Sequence, residues 1–187
     1  IVPGSFAPKV SFTTVNMPLS VAIGDIDGDG LRDLAVINYI GQKLSLFKNT
    51  SVAGTISLGP RVDITIPDFS HDVSIADIDG DGKAEIIAGT GPDPKNPAIV
   101  KVFKSDGTLI KELLPYDAKY GYGVTVASVD LDGDGRDEVI TGLGSGPQNP
   151  AWVRIFKCDG TLLSNGFIAF PEDTKYGVKV STGNMGN

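Results

Sequence analysis

The sequence predicts an all-β fold made of tandem four-stranded antiparallel β-propeller blades, with about three to four blades present. An acidic nine-residue segment occurs three times, and its copies begin 52 and 53 residues apart. Short strand-like runs fill the space between the copies, and no helical periodicity accompanies them. A fixed period of this size indicates stacked repeats, and four short antiparallel strands per unit correspond to a propeller blade.

The acidic segments predict three calcium sites. They span residues 25–33, 77–85 and 130–138, with carboxylates at positions 1, 3, 5 and 9 and glycines at positions 4 and 6. The glycines allow the positive φ angles of a tight curl, which makes the alternate carboxylates converge. Each pair of converging charges at about 4 Å would cost on the order of 4 kcal/mol without a cation. Oxygen donors in a flexible loop suit calcium before magnesium.

Neither ordinary turns nor EF-hands explain these segments as well as calcium-binding loops do. Asp-Gly pairs also mark turns, but three copies with the same four acidic positions exceed what a turn requires. An EF-hand needs a glutamate at position 12 and flanking helices. Position 12 is Val36, Ala88 or Thr141 here, and the flanks resemble strands. The candidate side-chain ligands are therefore Asp25, Asp27, Asp29, Asp33, Asp77, Asp79, Asp81, Glu85, Asp130, Asp132, Asp134 and Glu138.

The second repeat illustrates the predicted blade. Strands are expected over residues 72–76, 85–89, 98–104 and 108–114, with the acidic loop between the first two. The Ile86-Ile87-Ala88 run is apolar on both faces, as expected of a strand buried between neighbouring sheets.

The whole chain, 1–187, is predicted to be one repeat domain. Its parts are an outer strand of a preceding blade (1–20), repeat 1 (21–72), repeat 2 (73–123), repeat 3 (124–176) and the start of repeat 4 (177–187). The fourth loop would begin at Asn184 and include Asn187 without a carboxylate, so we expect weak calcium binding there or none. The chain starts Ile1-Val2-Pro3 with no signal-peptide pattern, which suggests a processed chain or a fragment.

Composition excludes several classes of function. Net charge is −7, and the three loops hold thirteen of the 23 acidic residues, four in each of the first two and five in the third. No basic stripe exists to bind nucleic acid, and no apolar run is long enough to insert into a membrane. Cys158 is the single cysteine, so no internal disulfide can form.

No catalytic set of side chains recurs, so the sequence predicts a protein that is not an enzyme. His71 is the single histidine and has no second imidazole with which to bind zinc. Trp152 lies on a predicted strand, where packing explains it better than sugar stacking. Asn49 begins the sequon Asn-Thr-Ser in a predicted exposed hairpin, which is weak evidence for glycosylation.

The acidic loops, with strands such as Gly123-Val124-Thr125-Val126-Ala127 before them, resemble the FG-GAP repeat, also described as the VCBS-type repeat. That family, as in integrin α-subunit heads and many bacterial surface proteins, implies calcium-binding propellers that are usually seven-bladed. The resemblance implies side-chain ligands at positions 1, 3, 5 and 9, and backbone carbonyl ligands at position 7 from Leu31, Lys83 and Arg136. Three blades and a fraction cannot close a seven-bladed ring.

The resulting hypothesis is a secreted or cell-surface, non-enzymatic structural or adhesion module that calcium makes rigid. Extracellular calcium is high enough to keep weak loop sites filled. Its partner would be protein, either a cell-surface partner or other copies that associate head to tail. The alternatives are a carbohydrate-binding propeller, which needs glycan partners, and an accessory domain of an extracellular polysaccharide-degrading enzyme.

Overall fold

A computed structural model describes residues 9–66, 69–171 and 173–183. These ranges contain twelve strands and no helix, so the predicted all-β class is confirmed. The strands are β1 (Pro18–Gly24), β2 (Asp33–Asn38), β3 (Lys43–Phe47), β4 (Val62–Thr65), β5 (Ser70–Ala76), β6 (Glu85–Thr90), β7 (Val100–Phe103), β8 (Leu109–Leu113), β9 (Val124–Val129), β10 (Glu138–Leu143), β11 (Trp152–Phe156) and β12 (Leu162–Ile168).

The strands form three four-stranded sheets, one for each acidic loop. Their orders are β1-β2-β3-β4, β5-β6-β7-β8 and β9-β10-β11-β12, and every neighbouring pair is antiparallel. The described residues form no closed ring, so the assignment of these sheets as blades of a propeller stays a prediction, as do the repeat boundaries.

The first strands of the three sheets lie next to one another, and hydrogen bonds join them at the spacing of the repeat. Ser20 Oγ on β1 donates to Asp72 Oδ1 on β5 at 3.2 Å, and the N–H of Val126 on β9 donates to Asp72 Oδ2 at 3.1 Å. The hydroxyls of Ser74 and Ser128 are 2.7 Å apart. One carboxylate, Asp72, therefore connects all three sheets.

Two apolar layers separate the sheets, and β6 contributes to both. Ile86 packs with Ile37 and Leu44 between the first and second sheets. Ile87, its neighbour in sequence, packs with Val126 between the second and third sheets. Both isoleucines have 0% of their surface exposed, which confirms the strand predicted to be apolar on both faces. Burying one such side chain stabilises the fold by about 1.5–3 kcal/mol.

The predicted terminal strands are the part of the fold that differs. Residues 9–17 form no strand, so the described part of the predicted outer strand (1–20) becomes β-structure only at Pro18, where β1 begins. The expected inner strand near residues 178–181 forms no assigned strand, although the Val178 N–H donates to Leu143 O at 2.9 Å. Asn184 and Asn187, the expected fourth loop, lie outside the described residues.

A large residue with positive φ stands before each of the three first strands, and a fourth stands before residues 178–181, where no strand is assigned. These residues recur at spacings of 52, 53 and 54 and are Met17 (54°), Phe69 (45°), Tyr122 (69°) and Tyr176 (81°). Left-handed backbone is unfavourable for bulky side chains and persists where surrounding contacts impose it. The N–H of Tyr122 donates to Asp93 O at 2.9 Å, and that of Tyr176 donates to Gly146 O at 3.1 Å. Asp93 and Gly146 lie in the proline-containing segments that connect the second and third strands of the preceding sheets. These segments therefore stabilise the turns at Tyr122 and Tyr176.

Candidate metal centres

Each acidic loop connects the first and second strands of its sheet, so the three loops lie at the same end of the stack. The glycines at positions 4 and 6 have the positive φ angles that the curl was predicted to need, for example 78° at Gly28 and 85° at Gly30. The glycines of the other two loops have φ values between 77° and 85°. The loops are therefore three copies of one backbone conformation.

The aspartate at position 1 organises each loop by accepting backbone hydrogen bonds on both of its oxygens. Asp25 Oδ1 accepts from the Gly28 N–H at 2.7 Å, and Oδ2 accepts from the Gly30 N–H at 2.8 Å. Asp77 and Asp130 repeat this pattern at 2.7 to 3.1 Å. Bonds of this kind to an ionised acceptor are stronger than neutral ones, so the loop is curled by its own carboxylate.

The aspartate at position 5 binds the backbone two residues further along. Oδ1 of Asp29 accepts from the Leu31 N–H at 2.7 Å, and Asp81 and Asp134 do the same at 2.8 and 2.9 Å. This turn holds position 7 next to position 5. The carbonyls of Leu31, Lys83 and Arg136, predicted as ligands by resemblance, stay a prediction.

Three of the four predicted carboxylates in each loop bring oxygen atoms within 4.8 Å of one another. In the second and third loops the converging positions are 1, 3 and 9, whereas in the first they are 1, 3 and 5. The three groups are Asp25, Asp27 and Asp29; Asp77, Asp79 and Glu85; and Asp130, Asp132 and Glu138. The fourth predicted carboxylates, Asp33, Asp81 and Asp134, lie outside these groups.

Asp33 differs from its counterparts because backbone donors occupy both of its oxygens. Oδ2 accepts from the Ile26 N–H at 3.0 Å, Oδ1 accepts from the Asn49 N–H at 2.7 Å, and the residue is 1% exposed. Glu85 and Glu138 are longer by one methylene and bind a backbone N–H through Oε2 alone, at 3.2 and 2.9 Å. The position-9 side chain of the first loop therefore binds the backbone, whereas those of the second and third loops also join the converging carboxylates.

Burial and charge make Glu85 the most perturbed acid of the second loop. It is 4% exposed, and burial, followed by the negative charge of Asp79, raises its pKa from the ordinary 4.5 to about 7. A carboxyl group in this position gains a proton or needs a cation near neutral pH. The environment therefore favours a bound cation in this loop.

A lysine side chain contacts the first loop and another contacts the third loop, and neither contact was predicted from the sequence. Lys48 Nζ forms an ion pair with Asp27 Oδ2, and Lys157 Nζ lies 2.9 Å from Asp132 Oδ2 and 3.6 Å from Asp134 Oδ2. Hydrogen bonding to these lysines lowers the pKa of both Asp27 and Asp132. The signal was present as a Phe-Lys pair in each repeat, at residues 47–48, 103–104 and 156–157.

Neighbouring loops also contact each other through the backbone. The Ala84 N–H of the second loop donates to the Asp25 carbonyl of the first at 2.8 Å. The Asp137 N–H of the third loop donates to the Asp77 carbonyl of the second at 2.9 Å. In both cases position 8 of one loop binds position 1 of the loop before it, so the candidate centres form a connected row.

The donor chemistry fits a hard cation. Each group offers only carboxylate oxygens, supported by a loop whose backbone is already curled around position 1. Calcium accepts six to eight such oxygens in flexible geometry, whereas zinc prefers nitrogen and sulfur ligands. The residues present therefore fit calcium.

The remaining residues singled out in the sequence have structural surroundings. Trp152 packs near Tyr116, with ring centroids 5.8 Å apart, and the Arg154 guanidinium lies 4.0 Å from its ring, which agrees with a packing role. His71 is half-buried beside Tyr39, with ring centroids 6.1 Å apart. Asn49 is half-buried rather than exposed, because its Nδ2 donates to Arg32 O at 2.8 Å.

The sheets and loops together define a tandem repeat protein of the all-β class with an acidic loop in every repeat. Residues 25–88, from the first acidic loop to β6, match the family described as the FG-GAP-like repeat. The resemblance expected from the loops is therefore confirmed over this segment. No curated protein matches the chain in sequence. Over the described ranges, no helix is long and apolar enough to cross a bilayer.

Proposed function

We propose that this protein is an extracellular, calcium-binding, non-enzymatic module for structure or adhesion. The observation that carries the proposal is the row of three connected loops, each with three carboxylates converging within 4.8 Å. FG-GAP repeats are typical of extracellular proteins, and the matched segment includes two of the three loops. Position 1 curls each loop, position 9 ties it to the base of the strand pair, and position 3 faces the converging oxygens.

Bound calcium would neutralise the converging carboxylates and cross-link the first two strands of each sheet. The side chains at positions 1 and 3 would hold the ion in every loop, with Glu85 and Glu138 joining in the second and third loops and Asp29 in the first. Because backbone hydrogen bonds join neighbouring loops, an ion that fixes the conformation of one loop also restricts the backbone of the next. The proposed role of the ion is therefore rigidity of the row of loops.

Thermal unfolding with and without calcium tests this function. A ligand that binds only the folded state stabilises it by about 2.7 kcal/mol per site at a hundredfold excess over its dissociation constant. We expect the melting temperature in calcium to exceed that in chelator by many degrees, and magnesium at equal ionic strength to give a smaller increase. Identical melting curves in calcium and in chelator would refute the proposal.

The exposed face of the first sheet supports a protein partner. Val21 and Ile23 on β1 are 60% and 62% exposed, whereas Val73 and Val126, which correspond to Val21 in the next two repeats, are 6% and 4% exposed. In those repeats the preceding sheet covers this position. We propose that another sheet of the same kind covers Val21, supplied by a second copy in head-to-tail association or by a longer chain.

Light scattering in calcium over a range of protein concentrations tests association between copies. Val21→Lys would place a charge on the exposed face and should lower the mass of the associated species. Ile110→Lys is a suitable control, since Ile110 is 43% exposed on β8, away from this face. A monomer at every concentration would exclude association between copies of this chain.

Carbohydrate binding is the second candidate function, and the row of positive-φ residues favours it. Phe69 and Tyr176 are 46% and 67% exposed and stand before the predicted repeats 2 and 4, where they could stack on sugar rings. Phe69 lines a cavity of about 180 Å³. The neighbouring cavity of about 260 Å³ is lined by His71, Asp72, Tyr122, Thr125, Ser145 and Lys179, among others. A glycan array would test this function. Binding that Tyr176→Ala abolishes would support it, and an empty array would remove it.

A further inference from the structure

A lysine follows the third strand of every sheet at the same position of the repeat. Lys48, Lys104 and Lys157 come directly after β3, β7 and β11, and each is preceded by a buried phenylalanine. The phenylalanines Phe47, Phe103 and Phe156 are between 3% and 7% exposed, so they anchor the start of each lysine side chain. The three lysines therefore occupy equivalent positions in the three sheets, so the groups that their side chains contact can be compared directly.

Two of these lysines reach the candidate metal centre of their own sheet. Lys48 Nζ pairs with Asp27 and Lys157 Nζ pairs with Asp132, and both aspartates occupy position 3 of their loops. Lys157 also lies 3.6 Å from Asp134 at position 5. The ammonium groups therefore partly neutralise the same carboxylates that a cation would use.

Lys104 behaves differently. Among the described residues, no ion pair connects it to the second loop. Its charge acts instead on Asp106 of the adjoining hairpin, whose pKa is lowered mainly by hydrogen bonds from Thr108 and further by Lys104. In the second loop, Asp77, Asp79 and the buried Glu85 therefore converge without an ion pair to the lysine that follows the third strand.

We propose that Lys48 and Lys157 set the calcium affinity of the first and third loops, so that the second loop binds calcium first. This inference rests on the proposed calcium function. An ammonium group paired with position 3 competes with the ion for Asp27 or Asp132 and repels it. Among the described residues, no such ion pair is made with the converging carboxylates of the second loop. The Arg136 side chain of the third loop lies beside Gly80 but pairs with none of those carboxylates.

The three loops can be followed separately during a calcium titration of the full chain. The glycine at position 6 of each loop, Gly30, Gly82 or Gly135, donates its N–H to the position-1 aspartate. The amide signals of these glycines in nitrogen-15 correlation spectra therefore report the occupancy of their own loops. The test variants are Lys48→Met and Lys157→Met, and Lys104→Met is the matched control. Methionine is used because it keeps an unbranched stem without the charge.

In the wild-type protein we expect the Gly82 signal to reach its midpoint at a lower calcium concentration than the Gly30 and Gly135 signals. Lys48→Met should shift the Gly30 midpoint, and Lys157→Met the Gly135 midpoint, to calcium concentrations roughly three- to tenfold lower, as expected for removing one nearby charge partly screened by water and salt. Lys104→Met should leave the Gly82 midpoint unchanged.

Three results would overturn the inference. The first is a titration in which the Gly30 and Gly135 midpoints do not move in their variants. The second is an equal shift of Gly82 in the Lys104→Met control. Both leave the calcium function intact, because the loops still titrate. The third is the absence of any calcium-dependent change in the three glycines, which would overturn the proposed function together with this inference.

Discussion

The Ala84 N–H donates a 2.8 Å hydrogen bond to the Asp25 carbonyl and so joins the second acidic loop to the first. Asp25 is also the residue whose side chain curls the first loop, through Gly28 and Gly30. One residue thus shapes its own loop with its carboxylate and contacts the next loop with its carbonyl. Asp77 has the same two roles between the second and third loops. The candidate metal centres are therefore coupled by backbone contacts as well as by proximity.

Asp79→Ala is expected to remove calcium binding from the second loop and to lower the melting temperature measured in calcium. Asp79 is exposed and belongs to the converging group of its loop, so its loss deprives an ion of one ligand without opening a cavity. In chelator the variant should melt close to the wild-type protein. His71→Ala is the comparison, since trimming this half-buried ring away from the loops should change stability equally in calcium and in chelator. Equal calcium-dependent losses in the two variants would contradict the assignment of Asp79 as a ligand.

Glu85 should make the metal-free protein less stable as pH rises from about 4.5 to about 7. Its pKa is about 7 in the folded protein and 4.5 when exposed, so in this window the folded state binds more protons than the unfolded state. The stability due to this proton is fully present below pH 4.5 and is lost as pH rises through 7. The loss should not exceed about 3 kcal/mol.

Urea unfolding in chelator at several pH values measures this effect. Glu85→Gln cannot ionise, so its free energy of unfolding should fall less than that of the wild-type protein between pH 4.5 and 7. Parallel pH profiles for the two proteins would show that Glu85 does not titrate as described.

Ile86→Ala and Ile87→Ala should each destabilise the protein by about 2–5 kcal/mol, because each leaves a cavity in a closely packed layer. The two residues are adjacent in sequence but belong to different layers. Ile110→Ala on β8 is the control, since this side chain is 43% exposed, and we expect a change within about 0.5 kcal/mol. Urea unfolding in calcium measures all three. A small effect at either Ile86 or Ile87 would mean that its layer is not closely packed.

The repeat period and the alternation of side chains were enough to predict one four-stranded sheet per repeat and the double burial of β6. Both depend on local pattern and on the requirement that a sheet with two apolar faces needs two neighbours. Residues 9–17 show where local pattern stops being sufficient. Their sequence resembles that of an outer strand, but a strand needs a continuous ladder of backbone hydrogen bonds. Over residues 9–17 the described chain supplies isolated contacts instead, such as the Tyr39 N–H to Met17 O at 2.9 Å and Arg61 Nη1 to Thr13 O at 3.0 Å.

The candidate centres were predicted in position but not in detail. The spacing of the carboxylates indicated which residues would curl together, and the positive φ angles of the glycines agree with it. The different role of Asp33 depends on side-chain length and on the Asn49 N–H, which is supplied by a distant part of the repeat. The lysine contacts likewise depend on how β3 and β11 are placed against the loops. The Phe-Lys pair of each repeat marks the lysines in the sequence, but the carboxylate that each lysine reaches is set by contacts between distant segments.

Each sheet consists of four consecutive strands, and within residues 9–66, 69–171 and 173–183 no strand is exchanged between neighbouring sheets. Under a pulling force, one sheet could therefore unravel without removing a strand from the next. With acidic loops 52 or 53 residues apart, every unravelled sheet would lengthen the chain by about 180 Å, at roughly 3.5 Å per extended residue. Such a protein would extend under load in steps of nearly equal length.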